Sequence, residues 1–165
     1  MMGHKRLPLK ESPVRFTRLP VAAAAIAALA APVSAPDQAS ACGAGISATD
    51  EVGLVKMVND FRANSGLARL RPRALLRASA RRHSAAMAST GALEHQVRDG
   101  RLTWAPAGSA AGENVALAGG AGQALQLMLG SAPHRQNLML PRWRSIGIGA
   151  VTSCSGVFFT LEFLG

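Results

Sequence analysis

The sequence has 165 residues, 48% of them hydrophobic but only 4% aromatic, with no tyrosine. That size and apolar content suit one folded domain and exclude both a disordered chain and a multidomain array, and the core has to come mainly from Leu, Val, Met, Ala and five Phe. Lys and Arg number 18 against 9 Asp and Glu, a formal charge of +9.

Much of that charge sits in the first segment. Lys5, Arg6, Lys10, Arg15 and Arg18, against Glu11 alone, lead into the uncharged run from Val21 to Ala31. This pattern predicts a secretory signal peptide, with a basic start and an apolar stretch too short for an ordinary membrane span. Small residues place cleavage after Ala35, or as late as Ala41. A lipoprotein signal at Cys42 is the rival, disfavoured because Pro36 and Asp37 separate that cysteine from the apolar run. Removing residues 1–35 takes away five bases and one acid and leaves 13 against 8, about +5. Residues 36–49 read as a linker and 50–165 as the domain. Export also gives meaning to Cys42 and Cys154, whose even number and opposite positions predict one disulfide, with a free buried pair as the alternative.

Helical spacing follows from Thr49, a candidate N-cap, through Leu54, Val55, Val58 and Phe61, to a stop at Asn64, Ser65 and Gly66. A second helix is predicted from Pro72 or Arg73 to about Ser89, with Leu76, Ala80 and Met87 on one stripe and Gly91 closing it. Residues 98–112 read as loop with a short turn near Leu102 to Trp104. A short strand over Asn114 to Leu117 and a helix over Gln123 to Leu129 come next, and Pro133 is expected to end or bend that helix. The last quarter alternates at Ile146, Ile148 and Ala150, and again at Val157, Phe159, Leu161 and Phe163, around a turn at residues 153–156. This predicts a hairpin with one buried face. No internal repeat is present, and the element order predicts an α+β fold.

Six arginines, Arg69, Arg71, Arg73, Arg77, Arg81 and Arg82, fall within fourteen residues. A solvated helix face is the plain reading, and an anionic envelope polymer or lipid is the partner such a face would suit. No aromatic residues interleave with them, so specific nucleic-acid binding is not expected. His83 lies on the helix stripe and reads as a packing histidine, and Trp104 and Trp143 as loop anchors.

Several motifs occur together in a telling order. Asn59, Arg62, Gly66, Leu67 and Leu70 are followed by Ala80, Met87 and His95, then by Gly112-Glu113-Asn114-Val115. Next come residues 131–138, with His134, Arg135 and Asn137, and finally Ile146-Gly147-Ile148-Gly149. Over residues 50–165 this succession resembles the CAP superfamily, or SCP domain, in its bacterial exported branch. The resemblance implies a three-layer α-β-α sandwich with a central antiparallel sheet. It also implies a surface cavity carrying His95, Glu113 and His134, with Ser131, Asn114, Arg135 and Asn137 adjacent. Two imidazoles and a carboxylate suit zinc or another divalent metal, and without metal they suit a general base beside an acid.

The sequence departs from the family pattern at Ser131, where larger relatives carry a second Glu, so the cavity is expected to lack its fourth acidic corner. Glu162 points away from Leu161 and Phe163 in an extended strand, and this reading keeps it out of the ligand set. The expected function is a binding or accessory module of the cell envelope or extracellular space, periplasmic or secreted, monomeric and without a membrane span in the mature chain. A hydrolase acting on peptide or cell-wall linkages and a lipid-binding module are the alternatives. The sequence has no G-x-S-x-G elbow and no H-E-x-x-H pair to name a reaction.

Overall fold

The computed structural model describes residues 43–98 and 101–165, and the expected signal peptide, both expected cleavage positions and Cys42 lie outside the described residues. The elements are β1 (Gly45–Ile46), α1 (Ala48–Asn64), β2 (Arg71–Pro72), α2 (Ala74–Thr90), β3 (Val97–Arg98), β4 (Arg101–Leu102), β5 (Ala111–Ala118), α3 (Ala121–Gly130), α4 (Ala132–Met139), β6 (Ser145–Ser153) and β7 (Gly156–Leu164). Hydrogen-bonded neighbours in the main sheet run β1, β6, β7, β5 in antiparallel pairs, and β2 joins β6 in parallel. Helix α2 lies against one face, and α1, α3 and α4 against the other. The result is the α-β-α sandwich that the resemblance implies.

Alternation in β6 and β7 sends Ile146, Ile148, Ala150, Phe159, Leu161 and Phe163 into one core, where they meet Leu54 and Val58 of α1, Ala124 and Met128 of α3 and Leu138 of α4. The other side of the hairpin is buried as well. Phe158, Thr160 and Glu162 are fully covered, so the expectation of a single buried face is corrected. The reason lies in Gly147 and Gly149. A Cβ on Gly147 would run into the backbone of Leu76 and Arg77, and one on Gly149 into that of Ala80 and Arg81. Two hydrogens where side chains would stand let α2 rest directly on β6.

Other boundaries differ from the sequence expectation for local reasons. The N-cap of α1 is Ser47, two residues before Thr49, because β1 delivers the chain there through the Ser47 N–H bond to the Ala150 carbonyl at 2.9 Å. Part of the supposed linker is thus a strand. The expected loop after residue 98 contains the β3–β4 ribbon, and β5 spans eight residues because every one of them pairs with β7. Pro133 begins a helix instead of ending one. The chain is extended at Ser131, and Pro133 sits in the first turn of α4, where its missing N–H costs no helical bond.

The arginine-rich segment is not a uniform face. Arg69 pairs with Asp60 at 2.9 Å, and Arg81 makes a two-pronged contact with the buried Glu51, fastening α2 to α1. Arg71, Arg73 and Arg77 are exposed and form no ion pair among the described residues. Cys154 is exposed in the β6–β7 turn. None of the described helices is long and apolar enough to cross a membrane.

Candidate functional site

Glu113 of β5 and Glu162 of β7 stand directly opposite each other in the antiparallel register, on the sheet face that α2 covers. Both are buried. Two carboxylates side by side in a protein interior need donors, and the segment between α2 and β3 supplies them. His95 Nδ1 lies 2.9 Å from Glu113 Oε1, the Gln96 backbone N–H donates to the same oxygen at 3.0 Å, and Gln96 Nε2 donates to Glu113 Oε2 at 2.8 Å. The same amide nitrogen donates to Glu162 Oε1 at 3.1 Å. An amide carries two hydrogens, one for each carboxylate.

His83 of α2 steadies this segment from behind. Its Nε2 is 2.6 Å from the Glu94 carbonyl, which as an acceptor requires the proton on that nitrogen. His95 is therefore held at both ends of a short turn, and 46% of its side chain remains exposed while Glu113 is 1% exposed. His134, in the first turn of α4, is half-buried. Partial burial, and after it the proximity of His95, hold its pKa below the ordinary histidine value.

The remaining predicted residues act on the backbone. Asn114 Nδ2 donates to the His134 carbonyl at 3.1 Å, and Asn137 Nδ2 donates to the Glu113 carbonyl at 3.2 Å and to Asn114 Oδ1 at 2.9 Å. Trp143, stacked on Phe163, holds the Asn137 carbonyl through its indole N–H at 2.8 Å. Gly112 is required here, because a Cβ would lie 2.6 Å from Asn137 Oδ1 and 2.7 Å from the Trp143 ring. Ser131 is the N-cap residue of α4, and Arg135 donates to the Leu129 carbonyl at 3.1 Å on the surface.

Glu162, Gln96 and His83 are participants that the sequence reading did not place. Alternation along β7 does indicate that Glu162 faces away from the main core. The covering of that face by α2, and the glycines that allow it, are what turn an outward residue into a buried one.

Burial is the main cause that raises the Glu162 pKa to about 7, and the charge of Glu113 adds to it, while Ser79, Gln96 and Arg82 oppose the shift. A carboxyl whose folded pKa exceeds its unfolded value keeps a proton in the native state that the unfolded chain releases. Stability is then lost as pH rises from about 4.5 towards about 7. Glu162→Gln preserves an acceptor for Gln96 and removes the charge. Urea unfolding should show the variant more stable than the parent by on the order of 2 kcal/mol at pH 8, with the gap closing towards pH 5. A difference independent of pH would refute this.

A three-residue metal centre does not fit these side chains. Both Glu113 oxygens are occupied by His95 and Gln96, and no group of three or more His, Cys, Asp or Glu side chains is assembled to hold a metal among the described residues. What the site offers instead is a carboxylate-oriented imidazole, His95, at the surface and a second imidazole nearby.

Comparisons with known proteins agree with the architecture. The extracellular SCP-domain protein of Bacillus anthracis superposes with a TM-score of 0.60 at 24% identity, over 70% of this chain and 40% of its own length. The chain thus spans less than half of that protein. An outer surface protein of Borrelia burgdorferi superposes with a TM-score of 0.65 at 15% identity, over 74% of this chain and 97% of its own. These identities speak for the fold alone. A search of curated proteins found no match. The family model for the cysteine-rich secretory protein family, CAP, matches residues 55–163, which include the whole His95, Glu113 and His134 set, and the chain belongs to that family.

Proposed function

We propose that this protein is an exported CAP-domain binding module that acts at the cell envelope or outside it, with the His95 and His134 surface as its ligand-contacting face. The observation that carries the reading is the fixing of His95 by the buried Glu113. An orientation maintained by a covered carboxylate and a backbone N–H is more than an ordinary loop histidine receives. Export is supported by the leader pattern and by the two structural relatives, one an extracellular protein and one an outer surface protein. The exposed Arg71, Arg73 and Arg77 suit an anionic envelope polymer or lipid surface.

A second reading, hydrolysis of a peptide or cell-wall linkage, is favoured by the same contact, since a carboxylate behind an imidazole is the arrangement of an oriented general base. One experiment addresses both. Purified cell walls are incubated with the protein, sedimented to measure adsorption, and assayed for released fragments. Adsorption that falls at least about tenfold in a His95→Ala, His134→Ala double variant, without fragment release, is the expected result. Equal adsorption of parent and variant would overturn the binding reading. Fragment release that disappears in Glu113→Gln would establish the hydrolase.

The predicted disulfide belongs to the exported form. Gly45 pairs with Thr152, and the Gly43 carbonyl accepts a bond from Thr152 Oγ1 at 3.4 Å. This register sets Gly43, the neighbour of Cys42 in sequence, beside the end of β6, two residues before Cys154. Thiol counting on the secreted protein, unfolded without reductant, should find no reactive cysteine. Two titratable thiols would refute the Cys42–Cys154 bridge.

A further inference from the structure

The two edges of the main sheet differ. The β5 edge carries Glu113, whereas the β6 edge is covered by two short strands placed end to end, β1 opposite Val151 and Thr152 and β2 opposite Ser145 and Ile146. Between them the edge is open. The backbone groups that point to it are those of the even-numbered residues. The Ile146 carbonyl accepts from the Arg73 N–H and the Ala150 carbonyl from the Ser47 N–H, each at 2.9 Å, and the Ala150 N–H donates to Glu51 Oε1 at 3.4 Å. Ile148 lies midway and, by the two-residue repeat of a strand, faces the same edge. Neither β1 nor β2 reaches it, and its N–H and carbonyl have no partner there among the described residues. Backbone groups inside a folded chain are nearly always paired, so this one-residue gap points to something that fills it.

A cavity of about 330 Å³ opens on the gap. Val52 and Val55 of α1 line one side and Arg77 of α2 the other, with Pro72, Arg73 and the β6 edge at Ile148 between them. Glu51 lines it too, but its carboxylate is committed to Arg81 and to the Ala150 N–H. The uncommitted charges are therefore Arg73 and Arg77, both exposed and without an ion pair among the described residues.

These features select the occupant. A donor and an acceptor on one strand residue match the acceptor and donor of one peptide residue in antiparallel pairing. A fatty acid carries a carboxylate but has no donor for the Ile148 carbonyl. A strand running through is excluded, because β1 and β2 block the edge on both sides, so only a chain end enters. Two guanidiniums choose the carboxyl end over the amino end. We infer that this notch binds the C-terminal residue of a peptide with an apolar side chain. Its N–H donates to the Ile148 carbonyl, one carboxylate oxygen accepts from the Ile148 N–H and the other from Arg73 or Arg77, and the side chain lies on Val52 and Val55. The notch is at the opposite edge of the sheet from Glu113 and does not depend on the role given to the His95 surface.

The exported protein, labelled with ¹⁵N, is titrated with acetyl-Ala-Ala-Val as the free acid, with the same peptide ending in a carboxamide, and with laurate, and the Ile148 and His95 amide resonances are followed. The expected result is a saturable shift of the Ile148 amide with the free acid at concentrations on the order of 10 mM or below, with the His95 amide unmoved. The carboxamide should bind at least about fivefold more weakly. The free acid should lose at least about fivefold in affinity for an Arg73→Gln, Arg77→Gln double variant whose melting temperature matches that of the parent. No Ile148 shift, equal affinity for acid and carboxamide, undiminished affinity in the double variant, or binding of laurate in place of the peptide would each overturn the inference.

Discussion

Replacing Gly149 with valine should remove about 3 kcal/mol or more of stability, a fall of roughly 10 °C or more in melting temperature. The added Cβ would meet the backbone of Ala80 and Arg81, and at Gly147 the obstacle is the backbone of Leu76 and Arg77. Flexible side chains can swing away from an intruding methyl, whereas helical backbone cannot without translating the helix. Any such translation would also separate Ser84 from Gly149 and Thr160, which its hydroxyl joins at 3.0 and 2.9 Å. It would disturb the Arg81 contact with Glu51 as well. Gly122→Ala is the matching control, because nothing lies within 4 Å of a Cβ there, and an exposed helical glycine replaced by alanine gains roughly 0.5–1 kcal/mol. Equal stabilities for Gly149→Val and the parent protein in urea unfolding would contradict the direct contact of α2 with β6.

Arg62→Met should cost about 3 kcal/mol or more. Arg62 is fully buried, and its guanidinium donates to three carbonyls, Ala68 at 3.0 Å through Nε and Leu138 and Leu140 at 2.6 and 3.1 Å through Nη1. It thereby joins the end of α1, the turn after it and the end of α4. Burial lowers its pKa, so removal of the charge returns part of the desolvation cost. The buried Leu138 carbonyl and the part-buried Ala68 and Leu140 carbonyls would lose their donor, at about 1–3 kcal/mol for an acceptor left unpaired, and together they outweigh that gain. Arg62→Lys should not restore stability, because a single ammonium cannot reproduce a planar fork that spans three segments. A Met variant within about 1 kcal/mol of the parent would show that the carbonyls find other donors.

Both expectations concern residues whose importance was visible only in part from the chain itself. Arg62 lies in a recognisable motif with Asn59 and Leu70, and the structure shows the motif's physical content: Asn59 clasps the Leu70 backbone with bonds of 3.0 and 2.7 Å while Arg62 binds the chain beyond it. The alternation of Ile146 and Ile148 with Gly147 and Gly149 signals a strand, yet nothing local states that a helix will lie on the glycine side. Likewise Pro133 carries an equal local signal for ending a helix and for starting one. The extended residue at Ser131 decides between them, and that conformation is set where α3 and α4 pack against α1 and β5.

The candidate site divides along the same line. His95, Glu113 and His134 are legible as a set through the order of the motifs, and Asn114 and Asn137 with them. Glu162 is legible only as a residue facing away from Leu161. Its pairing opposite Glu113, and the bridge that Gln96 makes to both, join positions 66 residues apart in the case of Gln96 and Glu162.

The sequence by itself determined the family, the α+β order of elements and the two helices with strong periodicity, because these depend on local spacing and on an ordered series of short motifs. The tertiary structure alone decided that both faces of the hairpin are covered, that Glu113 is held by His95 and Gln96, and that Trp104 and Ser79 share a cleft. Those outcomes depend on which surfaces meet, and register and close approach between distant segments leave little trace in local spacing.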